Sequence, residues 1–142
     1  MSKSEQAKEN FLKGYNCAQA VLLAFAKDLK LDEETALKMA SSFGGGMGGM
    51  REVCGAVSAM SMVIGLRNGY TDPKNPEEKK KLYALVQEAA KKFEAENGSI
   101  VCAELLGIRK KCQPPEARTQ EYYKKRPCQD LVALAAGIIA EE

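Results

Sequence analysis

The sequence predicts an all-α fold: one compact domain over residues 1–142, with five or six helices around a central apolar helix. Three observations lead there. Apolar residues recur at helical spacing and do not alternate with a period of two. Capping residues stand ahead of the apolar runs, with glycine or proline behind and between them. No segment reads as a strand, and 142 residues at 45% hydrophobic content can bury a core without staples.

The first helix is expected across Phe11, Tyr15, Ala18, Leu22, Phe25 and Leu29. Asp32, followed by Glu33 and Glu34, opens a second that passes Leu37 and Ala40 and ends at Phe43, where the glycine run begins. From about Arg51 to Leu66 almost every side is apolar or small, the pattern of a helix enclosed by other helices. Along it Cys54, Ser58, Ser61 and Gly65 make a stripe of little bulk where another helix can approach closely. The stretch NGYTDPKNPEEKKK is a loop closing on Asn75 as cap, with Pro76 first in the next helix and Glu78 third. That long helix turns Leu82, Leu85, Val86, Ala89 and Phe93 to the core and stops at Asn97-Gly98. Ser99 caps a short helix through Leu106, Gly107 ends it, and RKKCQPPEARTQEYYKKR is mainly irregular connection. The last helix starts at Pro127 and buries Cys128, Val132, Ala135 and Ile139.

Composition narrows the chemistry. With 21 basic and 19 acidic residues the net charge is +2, which gives no footprint for nucleic acid or an anionic membrane. The basic runs Lys79 to Lys81, Arg109 to Lys111 and Lys124 to Arg126 read as solvated helix faces and ends. No signal peptide and no span of about 20 apolar residues is visible, so the expected compartment is the cytoplasm, without membrane insertion. Five cysteines, an odd number widely spaced, do not form a disulfide framework there. The absence of histidine excludes Ser-His and Cys-His nucleophile pairs and imidazole metal ligands.

Sulfur is therefore where function is sought. Cys54, Cys102 and Cys128 stand at expected helix starts, where unpaired amides and the positive dipole end favour thiolate, suiting nucleophilic or metal-binding sulfur. Arg51 and Arg126 are close enough in sequence to add to this effect. Cys17 is placed inside the first helix, with Gly14 leaving space one turn earlier, and Cys112 reads as an inert loop thiol. The glycines Gly44, Gly45, Gly46, Gly48 and Gly49 allow a sharp turn and leave amides bare to approach a buried anionic centre. A phosphate loop is the rival reading, but no strand precedes the glycines and the Lys-Ser/Thr ending is missing. Met47, Met50, Met60 and Met62 are taken as adaptable core packing.

At these residues the chain resembles the C_GCAxxG_C_C family, small bacterial and archaeal proteins of about this length to which redox activity is ascribed. NCAQAVL with Cys17 is similar to its first cysteine segment, FGGGMGG and VCGAVSA with Cys54 to its central signature, CAELLG with Cys102 to the third and RPCQDLV with Cys128 to the fourth. Ala59 stands where the signature ends in glycine, and Cys112 lies outside the four. The resemblance implies a helical domain whose four matching cysteines form one redox site. A similar domain in split-Soret cytochromes is credited with an iron–sulfur cluster, which implies a [2Fe–2S] cluster here with Cys17, Cys54, Cys102 and Cys128 as ligands. Four thiolates around such a cluster leave negative charge that helix N-termini and glycine amides offset.

Three functions follow as expectations. The first is electron transfer or redox sensing through that cluster, with a redox partner protein the sequence does not identify. The second is a thiol/disulfide oxidoreductase, in which Cys54 attacks as a low-pKa thiolate and Cys102 or Cys128 resolves the mixed disulfide. The third is a structural zinc-tetrathiolate or helical interaction module. The apolar central helix is compatible with a homodimer.

Overall fold

The computed structural model describes residues 1–109 and 112–140; Lys110 and Lys111 of the second basic run lie outside them. Ser2 caps α1 (Lys3–Leu12) in a reciprocal arrangement with Glu5. Gly14 then takes φ +111°, and Asn16 caps α2 (Cys17–Ala26): Asn16 Oδ1 accepts from Gln19 N at 2.9 Å and Gln19 Oε1 accepts from Asn16 N at 3.2 Å. The one helix expected from Phe11 to Leu29 is thus two. The apolar spacing runs through the break because Phe11 and Ala18 are buried in the same core.

Asp32 caps α3 (Glu33–Ser41) by accepting from Thr35 N. Residues 42–54 form a loop, and α4 (Gly55–Asn68) starts after Cys54, four residues later than the expected Arg51. α5 (Pro76–Asn97) follows the Asn75 cap and ends where Gly98 takes φ +83°. α6 (Cys102–Leu106) is preceded by Val101 at the cap position; Ser99 Oγ accepts from Val101 N and lies two residues outside the cap position expected for it. Within the stretch expected to be irregular, Thr119 caps the short α7 (Gln120–Lys125). α8 (Cys128–Ala140) closes the fold. Eight helices among the described residues replace the five or six expected, the additions coming from the split at Gly14 and from α7.

α4 packs on α2, α5 and α8, while α2 is enclosed by α1, α3, α4 and α8. Their shared core holds Phe11, Leu22, Phe25, Met60, Ile64 and Phe93, each fully buried and each contributing on the order of 2 kcal/mol through burial. Beyond Cys54 the low-bulk stripe is not met by a neighbouring helix: Ser58, Ser61 and Gly65 are half-exposed, and a side chain added at Gly65 would find nothing within 4 Å. Met47 and Met50, expected in the core, are exposed. No described helix is long and apolar enough to cross a membrane.

The loop over residues 42–54 positions the site. Gly45, Gly46, Met47, Gly48 and Gly49 all have positive φ, between +58° and +79°, so the chain makes a continuous left-handed turn. Such a turn costs about 1–2 kcal/mol per residue for side chains other than glycine, which accounts for four of its five residues. The turn closes on itself, with Gly48 N donating to Ser42 O and Gly49 N to Gly44 O, and delivers residues 51–53 against residues 100–102. There Val53 and Val101 form an isolated antiparallel bridge, Cys54 N donates to Ile100 O at 2.8 Å and Cys102 N to Glu52 O at 2.6 Å.

Candidate functional site

Four helix starts supply four thiols. Cys17, Cys102 and Cys128 are the first residues of α2, α6 and α8, and Cys54 is the residue before α4. Cys17, expected inside a helix, joins the other three in this setting because Asn16 begins a new helix ahead of it. All four border one cavity of about 580 Å³. Cys54, Cys102 and Cys128 are buried; Cys17 keeps partial exposure, which we assign to the cavity side because it lies deep in the fold. Cys112 is exposed and does not border the cavity.

The remaining wall combines apolar side chains, among them Phe11, Leu105, Tyr122 and Leu131, with glycine backbone and guanidinium groups. Gly44, Gly45, Gly46, Gly48 and Gly49 line one side, and Arg51, Arg118 and Arg126 reach the cavity with Glu116 as the lone carboxylate. Arg126 pairs with Glu116. Arg118 donates to Phe11 O at 3.0 Å and Tyr15 O at 2.9 Å, and stacks its guanidinium 4.2 Å from the centre of the Phe11 ring. These contacts tie residues 113–118, a strap along the cavity wall, to Phe11 of α1, to Tyr15 and to Arg126. Gln113 fixes the other end: its amide donates to Gly49 O at 3.3 Å and its Oε1 accepts from Arg51.

The thiols are electrostatically unequal. Cys17 donates its S–H to Cys128 and, with burial adding to this, is held well above the usual thiol range. Receiving that hydrogen bond brings Cys128 down to about 7 against the opposing effect of burial, and Arg126, Arg118 and Arg51 assist. Burial pushes Cys54 up to about 12, although the amides of Ala56 and Val57 favour its thiolate. This corrects the expectation of Cys54 as a low-pKa attacking thiolate: a helix start favours the anion, but desolvation of a sulfur 4% exposed outweighs it. Cys128 is the one cavity thiol whose value is lowered.

The family model for "Putative redox-active protein (C_GCAxxG_C_C)" matches residues 15–142. The chain belongs to the C_GCAxxG_C_C family. All four cavity cysteines fall inside the match. Comparison with curated proteins and with solved structures returned no match.

The cavity was tested against the groups a C_GCAxxG_C_C protein can be expected to hold. Among the described residues no three Cys, Asp or Glu side chains converge closely enough for a single metal ion. A mononuclear tetrathiolate, with Zn–S near 2.3 Å, needs four-way convergence. A two-iron centre asks only for thiols in pairs, and Cys17 with Cys128 is such a pair. Three guanidinium groups against one carboxylate also suit an anionic multi-thiolate group. Sequence reading had no means of finding Arg118, Gln113 or Glu116, which come from a stretch without periodicity. The reciprocal cap Asn16 and Gln19, by contrast, is written in the sequence as N-C-A-Q and marks Cys17 as a helix start.

Proposed function

We propose that this redox protein uses Cys17, Cys54, Cys102 and Cys128 to hold one [2Fe–2S] cluster for electron transfer or redox sensing. One observation carries the reading: four cysteines far apart in sequence border a single cavity that glycine backbone and three guanidinium groups also reach. When bound, the cluster supplies a one-electron couple. The chain's own residues do the rest. Cys17 and Cys128 act on each other's ionisation as one thiol pair, the Val53–Val101 bridge sets the segments carrying Cys54 and Cys102 side by side, and residues 113–116 and Arg118 complete the lining. The amides of Gly44, Gly45 and Gly46, which have no protein acceptor among the described residues, are available to a negatively charged group.

The test is anaerobic purification with an absorption spectrum and quantitative iron and acid-labile sulfide. Visible charge-transfer bands with about two iron and two sulfide per chain are expected, lost in Cys128→Ser and kept in Cys112→Ser. Iron-free, colourless protein after anaerobic reconstitution would refute the cluster.

The hydrogen bond from Cys17 to Cys128 favours a second reading, a dithiol/disulfide couple. Here the Cys128 thiolate attacks a substrate disulfide, one substrate sulfur leaves as a thiolate, and Cys17, losing its proton, displaces the second to close a Cys17–Cys128 disulfide. Reversible formation of that disulfide in metal-free protein, mapped by mass spectrometry, is its signature.

A further inference from the structure

Arg51 is the one buried charged residue among the described residues, 9% exposed, and its backbone occupies the left-handed region at φ +61°. Its Nε and Nη2 donate to Gln113 Oε1 at 3.2 and 2.9 Å, and Nη1 donates to Cys102 Sγ at 3.5 Å. Neither acceptor is a carboxylate, and no described carboxylate forms an ion pair with it. A buried cation without a counter-charge is costly. Of the cavity thiols it touches Cys102 directly and acts on Cys128 through its field, while Glu116, the cavity carboxylate, is paired with Arg126.

We propose that Arg51 is a positioning residue that supplies the fixed cation for the reduced, more negative state of the thiol site, steadied by Gln113 and acting through Cys102. This rests on the reading of the four cysteines as a redox centre, and it holds for either chemistry. Reduction of a cluster takes one electron from an external reductant and makes or breaks no bond to the chain. Reduction of a Cys17–Cys128 disulfide takes two electrons, cleaves the S–S bond and leaves one thiol and one thiolate after uptake of one proton. Both add negative charge beside Arg51, so the guanidinium favours the reduced form and raises the reduction potential. Placing the cation on a strained residue directly after the left-handed turn fixes it against Cys102, where a flexible surface arginine would be screened.

The experiment compares wild type, Arg51→Gln and Arg51→Lys, loaded anaerobically with iron and sulfide and titrated with dithionite while the visible bands are followed. Arg51→Gln is expected to lower the equilibrium constant for electron uptake at least tenfold, a midpoint about 59 mV more negative for one electron. Arg51→Lys keeps the charge but loses the fork to Gln113, and is expected to fall about threefold. An Arg51→Gln protein with wild-type iron content and an unchanged midpoint would overturn the proposal; if that variant does not fold, an unchanged midpoint in Arg51→Lys does so. Wild type that takes up no iron refutes the cluster alone. The same variants are then equilibrated in glutathione redox buffers, where a tenfold fall in the Cys17–Cys128 couple is about 30 mV for two electrons and no change overturns the role of Arg51. A wild type that neither binds iron nor forms the disulfide overturns both.

Discussion

Gly46→Ala is expected to destabilise the fold by at least about 3 kcal/mol, from left-handed backbone strain plus overpacking. Gly46 has φ +72°, and an added Cβ would lie 2.6 Å from Glu52 N, 2.7 Å from Arg51 Cα and 2.7 Å from Cys102 Cβ. Two of those atoms are backbone and the third is held at the start of α6, so no flexible side-chain end can yield. Gly48→Ala is the control. At φ +58° it carries similar torsional strain, but its added Cβ would meet nothing closer than Ser42 O at 3.8 Å. It should cost about 1–2 kcal/mol. Thermal unfolding should show the contrast as a drop of about 10 °C for Gly46→Ala against about 5 °C or less for Gly48→Ala. Equal small shifts would mean the turn does not press against Cys102 as described. The same steric argument predicts loss of function: any relaxation around the new methyl moves Cys102 or Arg51, and both belong to the cavity.

What the sequence reveals and what it hides divide along physical lines. Local hydrogen-bond chemistry is legible. Asp32, Asn75 with Pro76, Gly98 and Gly107 mark their helix ends because a cap depends on residues within one turn. The break at Gly14 is as local, but the apolar spacing from Phe11 to Leu29 continues across it and hides the cap at Asn16. The glycine run announces unusual backbone, and the structure supplies the reason: a left-handed turn whose residues press on other segments. Gly44 lies against Asn16, Gly46 against Cys102 and Gly49 against Gln113. Those contacts are tertiary and leave no mark in spacing. The strap hides for the same reason, since Arg118 acts through carbonyls more than 100 positions away. The rank order of the thiols is the least legible property, because it depends on which sulfur donates to which and on how deeply each is desolvated.

That rank order yields the last prediction. In metal-free, reduced protein, Cys17→Ala removes the S–H donor that is the largest influence bringing Cys128 to about 7. Its pKa should climb toward the ordinary thiol range without reaching it, because Arg126, Arg118 and Arg51 stay in place. A thiol with pKa near 7 is about half ionised at neutral pH, and one near 9 about 1% ionised, so alkylation of Cys128 by iodoacetamide at pH 7 should slow by roughly tenfold or more. Cys17→Ser keeps a hydroxyl donor and should fall between. Stability follows with a definite sign. Because the folded pKa of Cys128 is depressed, its ionisation stabilises the fold fully above about pH 9, and this contribution is lost as pH falls through about 7. Cys17 and Cys54 act oppositely: their raised values contribute stability below about pH 9, lost for Cys54 as pH rises through about 12. The thiols together therefore favour the fold most near pH 9, and denaturation midpoints of wild type should rise from pH 7 to 9 where those of Cys17→Ala stay flatter. Peptide-resolved alkylation across this range decides the matter: were Cys128 in wild type to titrate in the ordinary thiol range, the Cys17–Cys128 hydrogen bond would not exist in solution, and the pairing that both redox readings use would go with it.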